Sequence, residues 1–315
     1  MEHFRHEENS EHKKEYPPLT LLPESSKVTL EQIKEQFGTD KQVIVCDFYI
    51  NDIEKMEESR RDSYGLAIDN VINIDHHAPI SSMERKISSA TLAIEFVKEK
   101  GILPDAEIVI NHTDCDSVLS SSIIRGVIPP EEIFSEAAIA ADHTGEPNAI
   151  ADLLQSLQTK RSVEYSLEQL QQLLLNAPLN PEAQLLLEKH LQDRDRAKEM
   201  VENGMFTVLG KVAYAETDIK FDGSFLPALL PESWVIILSS PYKKDGVTVP
   251  NQYEAKIRLG KKVPEGFTLQ QLGLGETDIR WGGRWNAGSN KRAGGSSLTA
   301  EQCAKIIAEK LEKVL

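Results

Sequence analysis

One short segment constrains the fold of this chain more than any other. The run Val71-Ile72-Asn73-Ile74 ends at Asp75, His76 and His77. Short β-branched apolar runs are typical of strands in a buried parallel sheet, and α/β proteins carry their chemistry just beyond the carboxyl ends of such strands. One carboxylate and two imidazoles at that position offer metal ligands on a rigid support. The segment therefore predicts an α/β fold with a site at the carboxyl edge of a parallel sheet.

Other acidic and imidazole side chains follow the apolar runs 42–46 and 106–111, and one follows an apolar stretch that the pattern leaves open as strand or helix. The candidate metal ligands are Asp47, Asp75, His76, His112, Asp114, Asp116 and Asp142. Their oxygen and nitrogen donors suit Mn²⁺, with Mg²⁺, Fe²⁺ and Co²⁺ as alternatives. Two ions roughly 4 Å apart, bridged by one carboxylate, would neutralise so many acids and form a hydrolytic centre.

The pattern divides the 315 residues into four segments. Residues 1–28 are polar and contain prolines, which predicts a mobile N-terminal arm. Alternating strands and helices over residues 29–150 predict a catalytic domain with a parallel sheet and helices on both faces. Residues 151–204 read as a helical linker, and residues 205–315 as a smaller α/β domain. We expect the active site in the cleft between the two domains.

Composition excludes several classes of partner. The formal net charge of −15 argues against a duplex DNA footprint, which needs a basic face. The sequence has no apolar run long enough to span a membrane, and its polar start lacks the apolar core of a signal peptide. Cys46, Cys115 and Cys303 are odd in number and far apart, which is typical of a reducing cytoplasm. We therefore expect a cytoplasmic protein without a membrane partner.

A Gly- and Arg-rich loop spans residues 280–295. Glycines let a backbone approach an anion closely, and arginine binds phosphate through two hydrogen bonds. Four residues of the loop are candidate phosphate ligands because they are positively charged: Arg280, Arg284, Lys291 and Arg292. Trp285 is a candidate for stacking on a base, with a place in the core as its alternative.

These motifs resemble those of the DHH phosphoesterase superfamily, which is named for the sequence Asp75-His76-His77. The segment His112-Thr113-Asp114-Cys115-Asp116 resembles the family's His-x-Asp-x-Asp motif. The 280–295 loop resembles the glycine-rich substrate motif of the associated C-terminal domain, which adds Gly294 and Gly295 to the candidate substrate-binding residues. Asn290 is a further candidate, although it stands where relatives usually have histidine. The motif order is permuted, because the His-x-Asp-x-Asp motif comes first in relatives.

The resemblance implies a centre of two Mn²⁺ ions and places each candidate residue in it. It assigns His112 and Asp114 to one ion, His76, Asp116 and Asp142 to the other, Asp47 to both, and His77 with Asp75 to catalysis at the scissile phosphate. A rival alignment makes Asp114 the last acid of the family pattern, which would leave a degraded site.

The expected function is hydrolysis of phosphodiester or phosphomonoester bonds in short oligonucleotides or small phosphorylated nucleotides. The resemblance is to the family's oligoribonucleases and its phosphatases of phosphoadenosine phosphate. One alternative is a pyrophosphatase or polyphosphatase of the same superfamily. The other is a nucleotide-binding scaffold whose catalytic site has decayed. A homodimer is the expected oligomer if the chain associates.

Overall fold

The computed structural model describes residues 16–24, 28–51, 53–56, 58–77, 87–219 and 221–314. The fold is mixed α/β, with two six-stranded sheets and helices packed on them. Of the arm expected at residues 1–28, positions 1–15 and 25–27 lie outside the described residues. Across the described ranges, no helix has both the length and the apolar character needed to cross a bilayer.

The described residues of the amino-terminal half form eight strands. They are β1 (Leu19–Leu21), β2 (Val28–Thr29), β3 (Val43–Cys46), β4 (Ile50–Asn51), β5 (Arg60–Asp62), β6 (Gly65–Ile68), β7 (Val71–Ile74) and β8 (Glu107–Ile110). Six form one sheet in the order β1-β8-β3-β7-β6-β5, and β2 pairs with β4 separately. The first four strands in that order are parallel, whereas β6 and β5 add an antiparallel hairpin. The sheet is therefore mixed, which corrects the expectation of a wholly parallel one.

Seven helices accompany these strands. They are α1 (Leu30–Phe37), α2 (Ser89–Lys100), α3 (Cys115–Ile124), α4 (Glu132–Ile139), α5 (Ala149–Leu157), α6 (Val163–Leu174) and α7 (Pro181–Glu202). A π-helix, Ala140–Thr144, continues α4, and short 3-10 turns occur at Ile53–Lys55 and Gln158–Lys160. The stretch that the sequence left open between strand and helix is thus helical. Helices α5, α6 and α7 occupy the segment read as a helical linker.

Alternation along β3 explains why helices cover both faces of this sheet. Ile44 and Cys46 join the core that contains α2 and α3, whereas Val43 and Val45 join the core that contains α1. Successive side chains of a strand point to opposite faces, so a continuous apolar run requires cover on both sides. The chain leaves this doubly covered sheet at the carboxyl ends of β3, β7 and β8, where the candidate ligands lie.

Strand β1 differs from the expected mobile arm. Leu19, Thr20 and Leu21 pair in parallel with β8 at the edge of the sheet. The Thr20 hydroxyl also donates to the Glu107 carboxylate at 2.7 Å. A three-residue edge strand among prolines gives little periodic signal, because its residues are only half buried. The described part of the arm is therefore a structural strand.

The carboxy-terminal half contains the second sheet and two helices. Its elements are β9 (Thr207–Leu209), β10 (Val212–Glu216), α8 (Leu226–Leu229), β11 (Val235–Lys244), β12 (Val247–Leu259), β13 (Gly282–Gly283), β14 (Ala287–Ser289) and α9 (Ala300–Val314), with 3-10 turns at Gly223–Phe225, Leu269–Leu272, Leu274–Glu276 and Lys291–Ala293. The sheet order is β13-β14-β12-β11-β10-β9. Helix α9 packs on one face of this sheet, and the end of α7 packs with α8 on the other.

Candidate active site

Acidic and imidazole side chains from four parts of the first domain meet at the carboxyl edge of its sheet. Asp47 follows β3, His76 follows β7, and His112 follows β8. Asp47 Oδ2 lies 3.2 Å from His112 Nε2, and Asp47 Oδ1 lies 3.5 Å from His76 Nε2. These residues are far apart in sequence, so the sheet itself brings them together.

The ligand atoms fall into three overlapping groups in which all members lie within 4.8 Å of one another. The groups are Asp47 with His76 and His77, Asp47 with His112 and Asp114, and His76 with Asp116 and Asp142. Asp47 and His76 each belong to two groups. This overlap fits two neighbouring cation positions that share the Asp47 carboxylate.

Asp47 is held in a strained and specific position. It is fully buried, and its φ of 59° lies in the left-handed region that non-glycine residues rarely adopt. The hydroxyl of Ser89 donates to Oδ1 at 2.9 Å, and that of Ser117 donates to Oδ2 at 2.7 Å. Such strain is found where a function requires the geometry. The two hydroxyls fix the carboxylate plane without adding positive charge.

Asp116 is fixed by the amino terminus of α2. The backbone N–H groups of Ser89 and Ala90 donate to its two carboxylate oxygens, each at 2.6 Å. A carboxylate is favoured at a helix amino terminus because the peptide dipoles point their positive ends there. Burial, and then the neighbouring Asp47, nevertheless raise the pKa of Asp116 well above its usual range. The ionised form needs a cation close by.

The two ligand histidines each expose one ring nitrogen to the acids. His76 Nδ1 donates to the Ile87 carbonyl at 3.0 Å, so its Nε2 faces Asp142 Oδ2 at 3.1 Å. Burial lowers the pKa of His76, but Asp142, Asp116 and Asp47 outweigh it and raise the value to about 10. The surrounding carboxylates therefore favour the protonated form of this ring.

His112 has the same arrangement on the other side of Asp47. Its Nδ1 donates to Asn111 Oδ1 at 2.5 Å, and its Nε2 lies 3.3 Å from Asp114 Oδ2. Burial lowers the pKa of His112, but Asp114 and Asp47 raise it to about 11. Asp114 is also the N-cap of α3, because its Oδ1 accepts from the Ser117 N–H at 3.0 Å. Both imidazoles are thus oriented as metal ligands usually are.

Three polar atoms in the cluster are buried without a hydrogen-bond partner: His76 Nε2, His77 Nε2 and Asp142 Oδ2. Buried polar atoms in native proteins are nearly always satisfied by a hydrogen bond, water or an ion. The donors are carboxylate oxygens and imidazole nitrogens, which suit hard or borderline divalent ions. The buried residues of this cluster therefore fit a metal ion, although its identity is not fixed by these contacts.

Asp75 is placed differently from the expected metal ligand. Its Oδ1 accepts from His77 Nδ1 at 2.6 Å, and its Oδ2 accepts from the His77 N–H at 3.0 Å. Asp75 belongs to none of the three ligand groups among the described residues. Burial raises its pKa to about 6, against the opposing effect of His76. Both of its oxygens orient His77, so Asp75 acts on the cluster through His77.

Asp142 lies in the π-helix that follows α4. An extra residue in a helical turn redirects side chains, and such turns recur at functional sites. Burial raises the pKa of Asp142, but His76 and other partners lower it to about 2. The acid that the sequence pattern could not assign to strand or helix thus reaches the cluster from an irregular helical turn.

A cavity of about 820 Å³ lies in the second domain beside the cluster. Three of the predicted phosphate-binding residues, Arg280, Arg284 and Arg292, line it. The positive charge of Arg284 reaches the acidic cluster. For Asp114, burial raises the pKa, and His112, the Ser117 N–H and then Arg284 lower it below its usual range. The lining residues all belong to the carboxy-terminal half of the chain. A smaller adjacent pocket has lining residues from both halves, among them Asp142, His143 and Arg258.

The remaining predicted substrate-binding residues of the loop do not line the cavity. Asn290 is completely buried; its Oδ1 accepts from the Ala255 N–H at 2.9 Å, and its Nδ2 donates to the Tyr253 carbonyl at 3.3 Å. Gly295 has a φ of 73°, and a Cβ there would lie 2.8 Å from the Tyr253 carbonyl oxygen. Lys291 is exposed outside the cavity, and Gly294 ends the 3-10 turn. Asn290 and Gly295 therefore hold the loop to β12.

Sequence reasoning missed two cations on β12. Lys256 and Arg258 line the cavity together with the loop arginines. Arg258 also lines a small adjacent pocket with Asp142 and His143, so it connects the cavity to the cluster. Burial lowers its pKa, against the effects of Asp222 and Asp142. The sequence carries a signal for them, because Lys256 and Arg258 alternate with the apolar residues Ala255, Ile257 and Leu259, as on a strand.

Trp285 does not act as an exposed stacking platform. Its side chain is buried, and its Nε1–H donates to the His76 carbonyl at 3.1 Å. Its ring lies 5.2 Å from that of His143, with an interplanar angle of 33°. The alternative of a core residue is the one that fits the structure. The indole hydrogen bond thus links the carboxy-terminal half of the chain to His76.

No protein-family model and no curated protein matches this chain. Among solved structures, its fold is similar to that of a pGpG-specific phosphodiesterase, PggH from Vibrio cholerae, with 12% identity and a TM-score of 0.43 over 71% of this chain and 96% of that one. It is also similar to an exopolyphosphatase-related protein from Bacteroides fragilis, with 13% identity and a TM-score of 0.37 over 90% of this chain and 75% of that one.

Proposed function

We propose that this chain is a metal-dependent phosphoesterase that hydrolyses short oligonucleotides or small phosphorylated nucleotides. The observation that carries the proposal is the buried Asp47 carboxylate. It is shared by two groups of potential ligands. Arg284, which lines the cavity, acts electrostatically on Asp75 and Asp114 of the same cluster. A phosphoryl-transfer site combines carboxylates that bind metal ions with cationic side chains that bind the substrate phosphate.

Two divalent ions fit the ligand groups. His112 and Asp114 would hold one ion, His76, Asp116 and Asp142 the other, and Asp47 both. Two bound ions would supply Lewis acidity that activates water and stabilises charge on phosphorus. Mn²⁺ is our first candidate, because mixed carboxylate and imidazole ligands suit it.

His77 is the candidate proton acceptor in this site. Asp75 accepts from its Nδ1, which leaves Nε2 as the acceptor of the neutral ring. Burial, then Arg284 and His76, hold the pKa of His77 well below its usual range. A neutral ring fixed by a carboxylate can accept a hydrogen bond, and then a proton, from attacking water through Nε2. Asp75 would act by holding His77 in this orientation.

Substrate recognition is assigned to the cavity. Arg284 and Arg258 lie on its cluster side, where a scissile phosphate would be held, and Arg280, Arg292 and Lys256 line the rest. Phe221, Leu226 and Leu238 also line the cavity and give part of its wall an apolar character. An apolar wall favours an organic phosphate over pyrophosphate or polyphosphate, because inorganic anions bury no apolar surface. It supports the nucleotide assignment over the inorganic alternative.

The proposal can be tested by substrate profiling of the metal-depleted protein after adding Mn²⁺. A dinucleotide, phosphoadenosine phosphate, pyrophosphate and bis-p-nitrophenyl phosphate would be compared by product analysis. We expect Mn²⁺-dependent hydrolysis of at least one nucleotide at a higher kcat/KM than pyrophosphate. Preferential hydrolysis of pyrophosphate would support the inorganic alternative, and absence of metal binding would support the scaffold.

Arg284→Ala tests the role of the cavity. We expect KM for the nucleotide substrate to rise by roughly 10-fold, equivalent to about 1.4 kcal/mol, because a bidentate phosphate contact is lost. Hydrolysis of bis-p-nitrophenyl phosphate should change less, since that ester contacts mainly the metal centre. Arg196→Ala, on the exposed surface of α7, is the matched control. Equal losses on both substrates would remove Arg284 from substrate recognition.

A further inference from the structure

Two adjacent residues of the second domain reach into the metal cluster of the first. Trp285 and Asn286 follow Arg284 in the cavity loop, and both side chains are buried. Their backbone is anchored to the second domain, because the Leu269 N–H donates to the Trp285 carbonyl and the Leu259 N–H to the Asn286 carbonyl, each at 2.8 Å. The two side chains therefore extend from a fixed backbone.

Asn286 connects to a metal-ligand candidate through a continuous chain of hydrogen bonds. Its Nδ2 lies 3.1 Å from His143 Nδ1, and His143 Nε2 lies 3.0 Å from the Ile87 carbonyl oxygen. The same oxygen accepts from His76 Nδ1 at 3.0 Å. A carbonyl oxygen has two lone pairs and only accepts, so both rings must donate to it.

The direction of every bond in this chain follows. The amide nitrogen Nδ2 of Asn286 can only donate, so Nδ1 of His143 accepts from it, and Nε2–H of His143 donates to the Ile87 carbonyl. His76 likewise uses Nδ1–H for Ile87, which leaves Nε2 as its metal-binding atom. The chain thus selects the ring nitrogen that faces Asp116 and Asp142.

Trp285 contacts the same candidate metal ligand, His76, at its backbone. Its Nε1–H donates to the backbone carbonyl of His76 at 3.1 Å, and its ring packs on His143. One residue therefore holds the backbone of His76, and its neighbour orients the His76 ring through His143 and Ile87. Partners of metal ligands outside the first coordination sphere commonly change metal affinity by roughly 10- to 100-fold.

We propose that Trp285 and Asn286 are positioning residues that couple docking of the cavity loop to metal binding at His76. The inference rests on the proposed function, because it assumes that the cluster binds metal. Trp285 and Asn286, which hold His76, directly follow Arg284 in the chain. The proposed phosphate-binding arginine and the metal site should therefore stay at a fixed distance from each other. Binding of the ion and docking of the loop must then favour each other reciprocally.

The first test is calorimetric titration of metal-depleted protein with Mn²⁺. Asn286→Ala and Trp285→Phe should each weaken the binding step that involves His76, Asp116 and Asp142 by roughly 10-fold. The step that involves His112 and Asp114 should change less, whereas a generally loosened fold would weaken both steps. Glu276→Ala, exposed in another loop of the second domain, is the control and should bind as the wild type does.

The double variant sharpens this test, because the two residues act on one ligand. Its loss of affinity should differ from the product of the single losses, as expected for contacting residues. Independent multiplication of the two losses would mean that they do not act through His76 together. Unchanged Mn²⁺ affinity in both folded single variants would overturn the proposal while leaving the metal site intact. A wild-type protein that binds no Mn²⁺ would instead reject the proposed function.

A spectroscopic measurement addresses the reciprocal effect. In ¹⁵N-labelled protein, the indole N–H signal of Trp285 is assigned by its loss in Trp285→Phe. We expect diamagnetic Mg²⁺ to shift this signal in the wild type, and the shift to shrink in Asn286→Ala at equal Mg²⁺. Signals from Trp234 and Trp281 serve as internal references. A Trp285 signal that ignores bound Mg²⁺ would contradict the coupling.

Discussion

The acidic cluster and the basic cavity are neighbours, yet they hold their charges in different ways. In the cluster, Asp47 and Asp116 are fully buried, and hydroxyl or amide donors fix each of their oxygens. In the cavity, Arg280, Arg284 and Arg292 are exposed to solvent. One region is rigid and desolvated, whereas the other is wide and in contact with water.

This difference assigns different tasks to the two regions. Buried charges interact strongly because little water screens them, and each needs an opposite charge. Exposed cations are screened by water and salt, so each contributes less to the binding free energy and tolerates variation in the group that it binds. Changes in the cluster should therefore decide whether the reaction occurs, and changes in the cavity should decide which substrate is bound.

The largest expected effect is that of Asp47→Asn. Asparagine keeps the shape of the side chain but removes the charge shared by both ligand groups, so both ions should bind more weakly. We expect kcat/KM to fall by more than about 100-fold, equivalent to roughly 3 kcal/mol. The measurement is Mn²⁺-dependent hydrolysis at saturating metal, with circular dichroism to confirm folding. Asp105→Asn, exposed in the turn after α2, is the control, and near-native turnover in Asp47→Asn would refute the shared role.

The second effect is a dependence of metal affinity on pH. His76 and His112 retain their protons well above neutral pH in the metal-free protein, with pKa values of about 10 and 11. A metal ion must displace these protons, so its affinity should rise with pH by roughly tenfold per displaced proton and pH unit. Titrations between about pH 6 and pH 8 would measure the slope. An affinity that does not change with pH would exclude both imidazoles as ligands.

Protein stability should show the opposite trend without metal. The folded-state pKa values of these histidines lie above their unfolded values. Their protonation therefore contributes fully to the free energy of unfolding below the unfolded pKa of about 6.5. That contribution is lost progressively as pH rises toward about 10. Thermal unfolding of metal-depleted protein should therefore occur at lower temperature as pH increases over this window. Added Mn²⁺ should reverse the loss, because an ion that binds only the folded state stabilises it.

The cluster was accessible from the sequence because each strand-end residue carries its own signal. Asp47, His76 and His112 follow apolar runs, and parallel strands must bring their carboxyl ends to one edge. Asp142 was harder, because a π-helix has no distinct periodicity. The role of Asp75 was also not readable, since adjacent positions in a motif do not reveal which carboxylate faces the metal and which faces a histidine.

The cavity was less accessible because its residues depend on packing that the sequence does not encode locally. Arg280 and Arg292 line it, but Lys291, beside Arg292 in the loop, points elsewhere. Lys256 and Arg258 come from a strand on which alternate polar residues usually face solvent. Trp285 could be read as a stacking platform or a core residue until its partner, the His76 carbonyl, was known. Loop composition predicted the charge of the region but not its geometry.

The smallest effect on catalysis is expected for Asn290→Ala, which tests the boundary between binding and support within the loop. Asn290 bonds to the backbone of Ala255 and Tyr253 and does not line the cavity. Its loss removes the acceptor of the buried Ala255 N–H, whereas the Tyr253 carbonyl still accepts from the Ser296 N–H. The free energy of unfolding should therefore fall by about 1–3 kcal/mol. KM for the nucleotide substrate should stay within about twofold of the wild type at a temperature where the variant is folded, equivalent to about 0.4 kcal/mol. Urea unfolding and steady-state kinetics measure the two quantities, with Arg284→Ala as the opposite case: raised KM and nearly unchanged stability.

If Asn290→Ala raised KM as strongly as Arg284→Ala while keeping wild-type stability, the buried asparagine would have to reach the substrate, and the division between support and recognition would be wrong.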